Sequence, residues 1–434
     1  MDRPTDGLFH SFLACHPTVR FMRFQWIDLS GVLRTRILTK AHCLRLVQDG
    51  EYLPVAVTIM LCPVSDLQVS ETPATGCAEL RPDWASLRHC LFAPAHASVM
   101  CHFYVRGLAD PYSLCPRAEL ERTLSKAKTT FGKTFAVGFE VEFVILNQDL
   151  ELLSGSNVIT TNSSLFGLRG EVLEALEETV TILEDAGIAV QSIHTEGPFQ
   201  LEIATAPLPP LEAIASLVYT HETIKTVFSR HDILATMAPN ANSSAAKSGA
   251  HVHVSLCQSG DENSFLAGIL DRLTTISTFG LASYDSFTRV QDVMNSTGIW
   301  VSWGFQHRDV PIRKIETGHW ELRCIDATAN PYLVVSLLIA AGLEGIAASK
   351  PLAMDGLSDY ASRLGPSKLA EIGVKQKLPS SMEEAVVMLR EASHTDTLIN
   401  QSLKDAYIAV KEVDLRAMCA LSEEERRLLF VRTF

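Results

Sequence analysis

Acidic and imidazole side chains recur on one face of four short predicted β-strands that lie far apart in the chain, at residues 137–143, 200–203, 251–255 and 320–323. Because side chains alternate faces along a strand, Glu140 and Glu142 point away from the apolar face of 137–143. Acids two residues apart on a strand are separated by roughly 7 Å, which suits ligands that divide between two neighbouring metal ions. Solvated strands usually carry Thr, Lys and Ser instead. The pattern therefore predicts an active-site cavity lined by acids, imidazoles and arginine.

The elements that must position these side chains can be predicted from apolar spacing and turn residues. Residues 19–40 alternate as a β-hairpin with its turn at 28–31. Helices are predicted at 118–129, 171–186 and 211–229, the last two from apolar residues spaced three and four apart. The longest apolar run, 332–341, is predicted as a buried helix with Asn330 as its N-cap and Pro331 at its first position. Strands and helices alternate up to Arg323, and the remaining chain is mostly helical.

Length and composition describe an ordinary globular protein. The 434 residues are enough for two domains of unequal size, with 47% apolar and 20% charged residues. A formal net charge of −13 and a pI near 5.5 argue against a nucleic-acid partner, which normally requires a basic surface. The run at 332–341 is shorter than the roughly 20 apolar residues that a bilayer requires, so no membrane partner is expected.

The cysteines and the N-terminus suggest the compartment. The ten cysteines are scattered and never form Cys-x-x-Cys, which favours neither a zinc site nor a disulfide framework. Residues 1–20 lack the charged start and apolar stretch of a signal peptide. We therefore expect a cytoplasmic protein.

Five motifs, in order along nearly the whole chain, resemble those of glutamine synthetases. GFEVEF at 138–143 and EGPFQLE at 196–202 resemble the two metal-binding strands, and SGAHVHVS at 248–255 resembles the ATP-binding signature. Arg308 with Arg313, and then ELR at 321–323 with ANPY at 329–332, resemble the phosphate-binding and closing strands. The sequences at 23–26, 30–34, 303–304 and 319–321 are most similar to the glutamine-synthetase-like region of fungal FluG-type proteins.

The resemblance implies an ATP-dependent ligase. In that family ATP phosphorylates a substrate carboxylate, usually the γ-carboxylate of glutamate, and an amine displaces the phosphate to give an amide. By position, one divalent metal would be held by Glu142, Glu196 and Glu202, and the other by Glu140, His251 and Glu321. Oxygen-rich ligation with one imidazole suits Mg²⁺ or Mn²⁺ better than zinc.

The resemblance also implies roles for residues outside the metal sites. Arg308 and Arg323 would be catalytic, neutralising with Arg313 the γ-phosphate and the acyl-phosphate as charge moves. Arg289 and Gly249 would bind the acid substrate. The residues expected at ATP are His253, Ser255, Arg308, Arg313 and His319.

For the fold, the resemblance implies an α+β class with two domains. A small β-grasp-like domain at 1–110 would precede a glutamine-synthetase-type catalytic domain at 111–434, whose curved antiparallel sheet is flanked by helices. Family members form homo-oligomeric rings, alone or paired, in which a neighbour's N-terminal domain completes each active site.

The chain departs from the family pattern where ammonia and glutamate bind. Ala238-Pro239 replaces Lys-Pro, Ala246-Lys247 replaces Asn-Gly, and His319 replaces an arginine near the nucleotide phosphates. The segment between Glu196 and Gln200 is one residue short, which makes Glu196 the least secure ligand. The flap after Arg289 carries only Asp292 as an acid, and Asp66 is the only acid where an ammonium-binding aspartate would be sought.

Ammonium needs a negatively lined pocket to bind and to lose its proton. The sequence keeps the metal and phosphate residues but not that pocket, so it favours a ligase that joins glutamate, or a similar acid, to an amine other than ammonia. Two alternatives stay open. One is an ordinary glutamine synthetase that uses ammonia, and the other is a catalytically silent regulatory relative. Metal-dependent ATP turnover and amine preference would discriminate among the three.

Overall fold

The computed structural model describes residues 6–70, 72, 74–153, 162–292, 296–392 and 397–434. The described residues form a mixed α+β fold with two β-sheets, which confirms the predicted fold class. The Ser-, Asn- and Gly-rich composition of 154–170 predicts a surface loop. Residues 154–161 of that segment, and 293–295 of the predicted flap, lie outside the described residues.

The first sheet belongs to the N-terminal part of the chain. Its six strands are β1 (Phe21–Ile27), β2 (Leu33–Thr39), β3 (Leu53–Ala56), β4 (Cys77–Pro82), β5 (Arg88–His89) and β6 (His96–Val105). The order is β2-β1-β6-β4-β3, with β5 paired to β6. β1 is antiparallel to β2, which confirms the predicted hairpin, and parallel to β6. Helices α1 (Asp6–Cys15) and α2 (Lys40–Gln48) accompany this sheet.

The second sheet carries the predicted functional strands. Its eight strands are β7 (Phe135–Leu146), β8 (Val190–Thr195), β9 (Gln200–Thr205), β10 (Leu234–Thr236), β11 (Val252–Leu256), β12 (Trp303–Phe305), β13 (Ile312–Glu316) and β14 (His319–Leu322). The order is β12-β13-β14-β11-β7-β9-β8, with β10 on β7. The pairings are antiparallel except between β12 and β13.

Helices pack beside this sheet and continue to the end of the chain. They are α3 (Pro116–Phe131), α4 (Gly170–Asp185), α5 (Pro210–Arg230), α6 (Glu262–Gly280), α7 (Pro331–Ala347), α8 (Ala361–Glu371), α9 (Met382–Glu391), α10 (Gln401–Ala420) and α11 (Glu423–Thr433). The predicted helices at 118–129, 171–186, 211–229 and 332–341 correspond to α3, α4, α5 and α7. Apolar spacing located α4 and α5 because each buries an apolar face.

The buried helix α7 begins as the sequence predicts. The Asn330 side chain accepts hydrogen bonds from the amides of Tyr332 at 3.0 Å and Leu333 at 3.4 Å, and Pro331 occupies the first turn. α7 packs closely on α6, where a Cβ added at Gly345 would lie 2.0 Å from the Ser264 carbonyl oxygen. Glycine is therefore required at this helix crossing.

The β1–β2 turn connects the first sheet to the start of α7. Buried Asp28 accepts hydrogen bonds from the amides of Ser30 and Val32 and from Arg34 Nε at 2.7 Å. The Asn330 side-chain amide donates to the Asp28 carbonyl oxygen at 2.9 Å. The proposed domain boundary at 110/111 stays a prediction; it falls between β6 and α3.

None of the described helices is both long and apolar enough to span a bilayer.

Candidate active site

The four predicted functional strands lie side by side in the order β14-β11-β7-β9. The register places His253 opposite Glu321 and Glu142 opposite Glu202. His251 comes one residue before β11, and its carbonyl still accepts the Glu140 amide at 3.1 Å, so the two chains stay aligned there. Arg323 directly follows β14. Strand pairing therefore collects on one sheet face side chains that are up to 183 residues apart, from Glu140 to Arg323.

One group of polar side chains surrounds Glu140. His251 Nδ1 lies 3.0 Å from Glu140 Oε2, 3.4 Å from Glu321 Oε1 and 3.6 Å from Glu142 Oε1. His253 Nε2 lies 3.0 Å from Glu140 Oε1. One ligand atom from each of Glu140, His253 and Glu321 falls within a common 4.8 Å. The predicted set of Glu140, His251 and Glu321 is thus brought together, with His253 as an additional donor.

A second group lies across β9 and the end of β8. Ligand atoms of His194, Glu196 and Glu202 fall within a common 4.8 Å. His194 Nε2 is 3.2 Å from Glu202 Oε1, and His194 Nδ1 is 3.5 Å from Glu196 Oε2. Despite the short segment before Gln200, Glu196 therefore reaches the acidic face. Its metal role stays a prediction.

Glu142 lies between the two groups. Glu142 Oε2 accepts the Gly249 amide at 2.6 Å and the Gln200 side-chain amide at 3.1 Å. A Cβ added at Gly249 would lie 2.5 Å from Arg289 Nη2 and 2.8 Å from His251 Nε2. Glycine at 249 thus lets Arg289 and His251 approach the backbone together.

The arginines predicted at the phosphates and at the acid substrate differ in their hydrogen-bond partners. Buried Glu321 accepts hydrogen bonds from Arg313 Nη1, at 3.1 Å, and from Arg323 Nη1. Arg289 donates to the Ile325 carbonyl at 2.6 Å and to the Arg323 carbonyl at 3.3 Å. Arg308 is exposed between β12 and β13, and among the described residues we find no hydrogen bond that ties it to the cluster. The catalytic role assigned to Arg308 stays a prediction.

Two of the residues expected at ATP sit on neighbouring strands. Ser255 on β11 is paired with His319 on β14. His319 Nε2 lies 2.9 Å from His253 Nδ1, so a chain of contacts runs from His319 through His253 to Glu140. Burial, followed by the nearby His253, lowers the pKa of His319.

The pKa values are shifted differently in the group around Glu140 and in the group across β8 and β9. At Glu140, burial opposes ionisation, but hydrogen bonds from His251 and His253 outweigh it and lower the pKa. Burial together with the charges of Glu202 and Glu142 raises the pKa of Glu196 to about 7. A hydrogen bond to Glu202 raises the pKa of His194 to about 9. The β8–β9 group therefore concentrates negative charge, which His194 and His251 offset in part.

The donor set fits hard divalent cations. Glu142, Glu202 and Glu321 are all buried, and clustered buried carboxylates are costly unless a cation offsets them. Carboxylate oxygens with a few imidazole nitrogens suit Mg²⁺ or Mn²⁺. Glu140, His251, His253 and Glu321 could hold one ion, and Glu142, His194, Glu196 and Glu202 another.

Sequence reasoning missed His194 and Gln200. His194 stands two residues before Glu196, so strand alternation alone places both on one face, and this spacing was the available signal. The contact with Glu202 depends on the β8–β9 register, which pairs His194 with Glu202. Gln200 bridges Glu142 and the Ser248 hydroxyl, at 3.1 Å each.

We expect His194→Gln to weaken divalent-metal binding at least tenfold, because partners that hold or orient metal ligands typically contribute 10–100-fold to affinity. Glutamine keeps a polar side chain on β8 but loses the imidazole that faces Glu196 and Glu202. Isothermal titration with Mn²⁺ would measure the change. Exposed His10→Gln on α1 is the control, and unchanged Mn²⁺ affinity in His194→Gln would remove His194 from the site.

Metal binding should also depend on pH. The folded-state pKa of Glu196 is raised from 4.5 to about 7, so its contribution to stability is present below 4.5 and lost as pH rises through 7. A divalent cation replaces the proton. The rise in melting temperature caused by Mn²⁺ should therefore be larger at about pH 7.5 than at about pH 5.5. If Mn²⁺ raised the melting temperature equally at both pH values, the prediction would be wrong. It would also be wrong if Glu196→Gln kept the same difference between the two pH values.

The fold and the cluster define the class: an α+β protein whose curved sheet presents acids, imidazoles and arginines on one face. Residues 113–428 match the glutamine synthetase catalytic domain, which is most of the chain. The chain therefore belongs to the glutamine synthetase family, a family of ligases.

Individual relatives include enzymes named for different products. The chain is 29% identical to the fluG protein of Emericella nidulans over 99% of its own length, but it spans about half (50%) of that relative. It is 28% identical to the gamma-glutamylpolyamine synthetase GlnA3 of Streptomyces coelicolor, over 69% of each chain. The solved structure of GmaS with ADP superposes with a TM-score of 0.82 at 20% identity, covering 99% of both chains, and shows the fold alone.

Proposed function

We propose that this protein is an ATP-dependent carboxylate–amine ligase that acts through an acyl-phosphate and joins the γ-carboxylate of glutamate, or a similar acid, to an amine other than ammonia. The observation that carries the proposal is the pair of adjacent ligand groups on one sheet face, with Arg313 and Arg323 on Glu321 at its edge. Family membership supports the ligase chemistry.

Bound Mg²⁺ or Mn²⁺ would polarise phosphoryl and carboxylate oxygens. The chain's own residues do the rest. Arg313 and Arg323 are fixed by Glu321, so they are preorganised to face charge that develops on a transferred phosphoryl group. His253, Ser255 and His319 line the neighbouring strands where ATP phosphates would lie. The same proposal assigns Arg308, exposed between β12 and β13, to the ATP phosphates.

For the acid substrate, the proposal assigns Arg289 and the Gly249 backbone. Arg289 Nη2 lies next to Gly249, and its remaining donors can bind a carboxylate. The Gly249 amide is held by Glu142, which links substrate position to the acidic groups. In the family resemblance, this is the place of the glutamate substrate.

The preference for an organic amine rests on the flap and on the relatives. Asp292 is the only acid in the flap segment, and it is exposed. The flap therefore offers an ammonium ion less negative charge for binding and deprotonation than the family pattern does. A relative named for γ-glutamylation of polyamines supports the same preference. We further propose a cytoplasmic homo-oligomer, as the resemblance implies.

Phosphate release from Mg-ATP or Mn-ATP, with glutamate and a panel of amines that includes ammonium, tests the proposal. Release that depends on a particular organic amine, with the matching amide mass, is the expected result. Release with ammonium alone would show an ordinary glutamine synthetase and overturn the amine assignment. ATP binding without turnover across many acids and amines would favour a regulatory protein.

A further inference from the structure

A second cavity lies away from the acidic face, between the first sheet and the N-terminal ends of two helices of the catalytic region. We call it the seam cavity; Gln25, Asp83, Arg88, Ser98, Arg117 and Glu212 contribute its polar groups. It encloses about 270 Å³. One water needs about 10–15 Å³ on the same measure, so the seam cavity has room for a small organic molecule. None of these residues belongs to the acidic cluster.

The two arginines of the seam cavity differ in their partners. Arg117 is buried, and its terminal nitrogens donate hydrogen bonds to the Tyr332 hydroxyl, at 2.8 Å, and to Asp83. Arg88 is half-buried and donates to the Ser216 hydroxyl at 3.3 Å, with its guanidinium 5.5 Å from the Tyr219 ring centroid. Among the described residues no carboxylate lies within ion-pair distance of Arg88. Burial lowers the pKa of Arg88, and the nearby Tyr219 and Glu212 offset this only in part.

Acids also line the seam cavity, and they restrict which ligands could neutralise the charge of Arg88. Glu212, in the first turn of α5, faces the cavity and makes no ion pair among the described residues. Asp83 also lines it. The four charged groups, Arg88, Arg117, Asp83 and Glu212, sum to zero. A multiply charged phosphate would meet repulsion from both acids, whereas a ligand with one carboxylate and one ammonium would match the wall.

We propose that the seam cavity binds a free α-amino acid, with the carboxylate on Arg88 and the ammonium towards Glu212. Gln25 and Ser98, both buried, add an amide and a hydroxyl to the lining of the cavity. Because the cavity walls come from both the first sheet and the helices α3 and α5, an occupant joins the two parts of the chain. The site does not depend on the proposed ligase activity.

Isothermal titration of the full chain with glycine, L-alanine, L-serine and L-glutamate, in the absence of ATP, tests this site. Arg88→Met removes the charge but keeps an apolar stem, and should weaken binding of at least one of these amino acids roughly tenfold or more, since a charge-assisted hydrogen bond is lost. Exposed Glu212→Gln should weaken it as well while leaving the fold intact. Exposed Arg106→Met, in the same sheet region, should change nothing.

A second variant separates the seam cavity from the substrate site. Arg289→Met disables the proposed acid site but should leave amino-acid binding at the seam cavity unchanged. Three results would overturn the proposal: unchanged binding in both Arg88→Met and Glu212→Gln, complete loss of binding in Arg289→Met, or acetate and phosphate binding as tightly as the amino acids.

Discussion

Glu142→Gln is expected to lower metal-dependent ATP turnover at least about a hundredfold, because a metal-binding carboxylate supplies several kcal/mol of charge stabilisation and each 1.4 kcal/mol is tenfold in rate. Glu142 stands between the two ligand groups, 3.6 Å from His251 Nδ1 and opposite Glu202 in the ladder. Glutamine keeps the shape and can still accept the Gly249 and Gln200 hydrogen bonds. The substitution therefore removes charge with little effect on the fold.

Steady-state phosphate release with the preferred amine measures this effect. Glu184→Gln, on the exposed side of α4, is the matched control and should retain full turnover. Thermal unfolding should differ little between the two variants. Turnover in Glu142→Gln within about threefold of the unsubstituted protein would mean that Glu142 does not serve the reacting groups, and the division of ligands between two ions would be wrong.

Arg323→Met is expected to lower both stability and turnover. Arg323 pairs with Glu321, which is 0% exposed at its side chain, and breaking a buried pair by removing one partner typically costs about 3–5 kcal/mol. Although burial opposes its charge, Glu321 raises the pKa of Arg323, so the guanidinium stays charged throughout the working range. Arg313 still contacts Glu321 at 3.1 Å, which places the loss near the lower end of that range.

The double variant Arg323→Met/Glu321→Gln separates stability from catalysis. It removes the buried charge left by the first change, so it should recover part of the stability measured by urea unfolding. Turnover should stay at least about a hundredfold below the original, because the phosphate-facing cation and the Glu321 carboxylate proposed to hold a metal ion are both missing. Arg106→Met serves as the exposed control. If turnover returned with stability, neither Arg323 nor Glu321 would have a catalytic role.

The local elements could be predicted from sequence because their signals are local. The alternation at 137–143 gave β7 its apolar and acidic faces, and Asn330-Pro331 placed the start of α7. Apolar spacing located α4 and α5 to within about two residues, which is the usual uncertainty of helix ends. The family motifs then indicated which strand faces would meet.

What the sequence could not supply is the register between distant strands. The contact of His194 with Glu202 follows from pairing β8 with β9, and no local pattern encodes that pairing. The short segment before Gln200 raised doubt about Glu196. In the structure this short segment forms a tight turn. Phe199 adopts a φ of 59°, and the Gln200 amide donates to the Gly197 carbonyl at 3.1 Å. The spacing of residues in the sequence does not predict backbone geometry of this kind.

The seam cavity shows the same limit on a larger scale. Arg88 and Ser216 are separated by 128 positions, and only the packing of the first sheet against α5 brings them together. Apolar periodicity describes which face of α5 is buried, but it does not say what polar groups meet at the seam.

The most direct test of ligation through an acyl-phosphate uses glutamate labelled with ¹⁸O in its γ-carboxylate, together with Mg-ATP and the preferred amine. When phosphate transfers to a carboxylate oxygen and the amine then displaces it, that oxygen leaves with the phosphate. Mass spectrometry should therefore find one ¹⁸O in each released phosphate and the other in the amide. Unlabelled phosphate, with or without an amide product, would contradict the proposed chemistry.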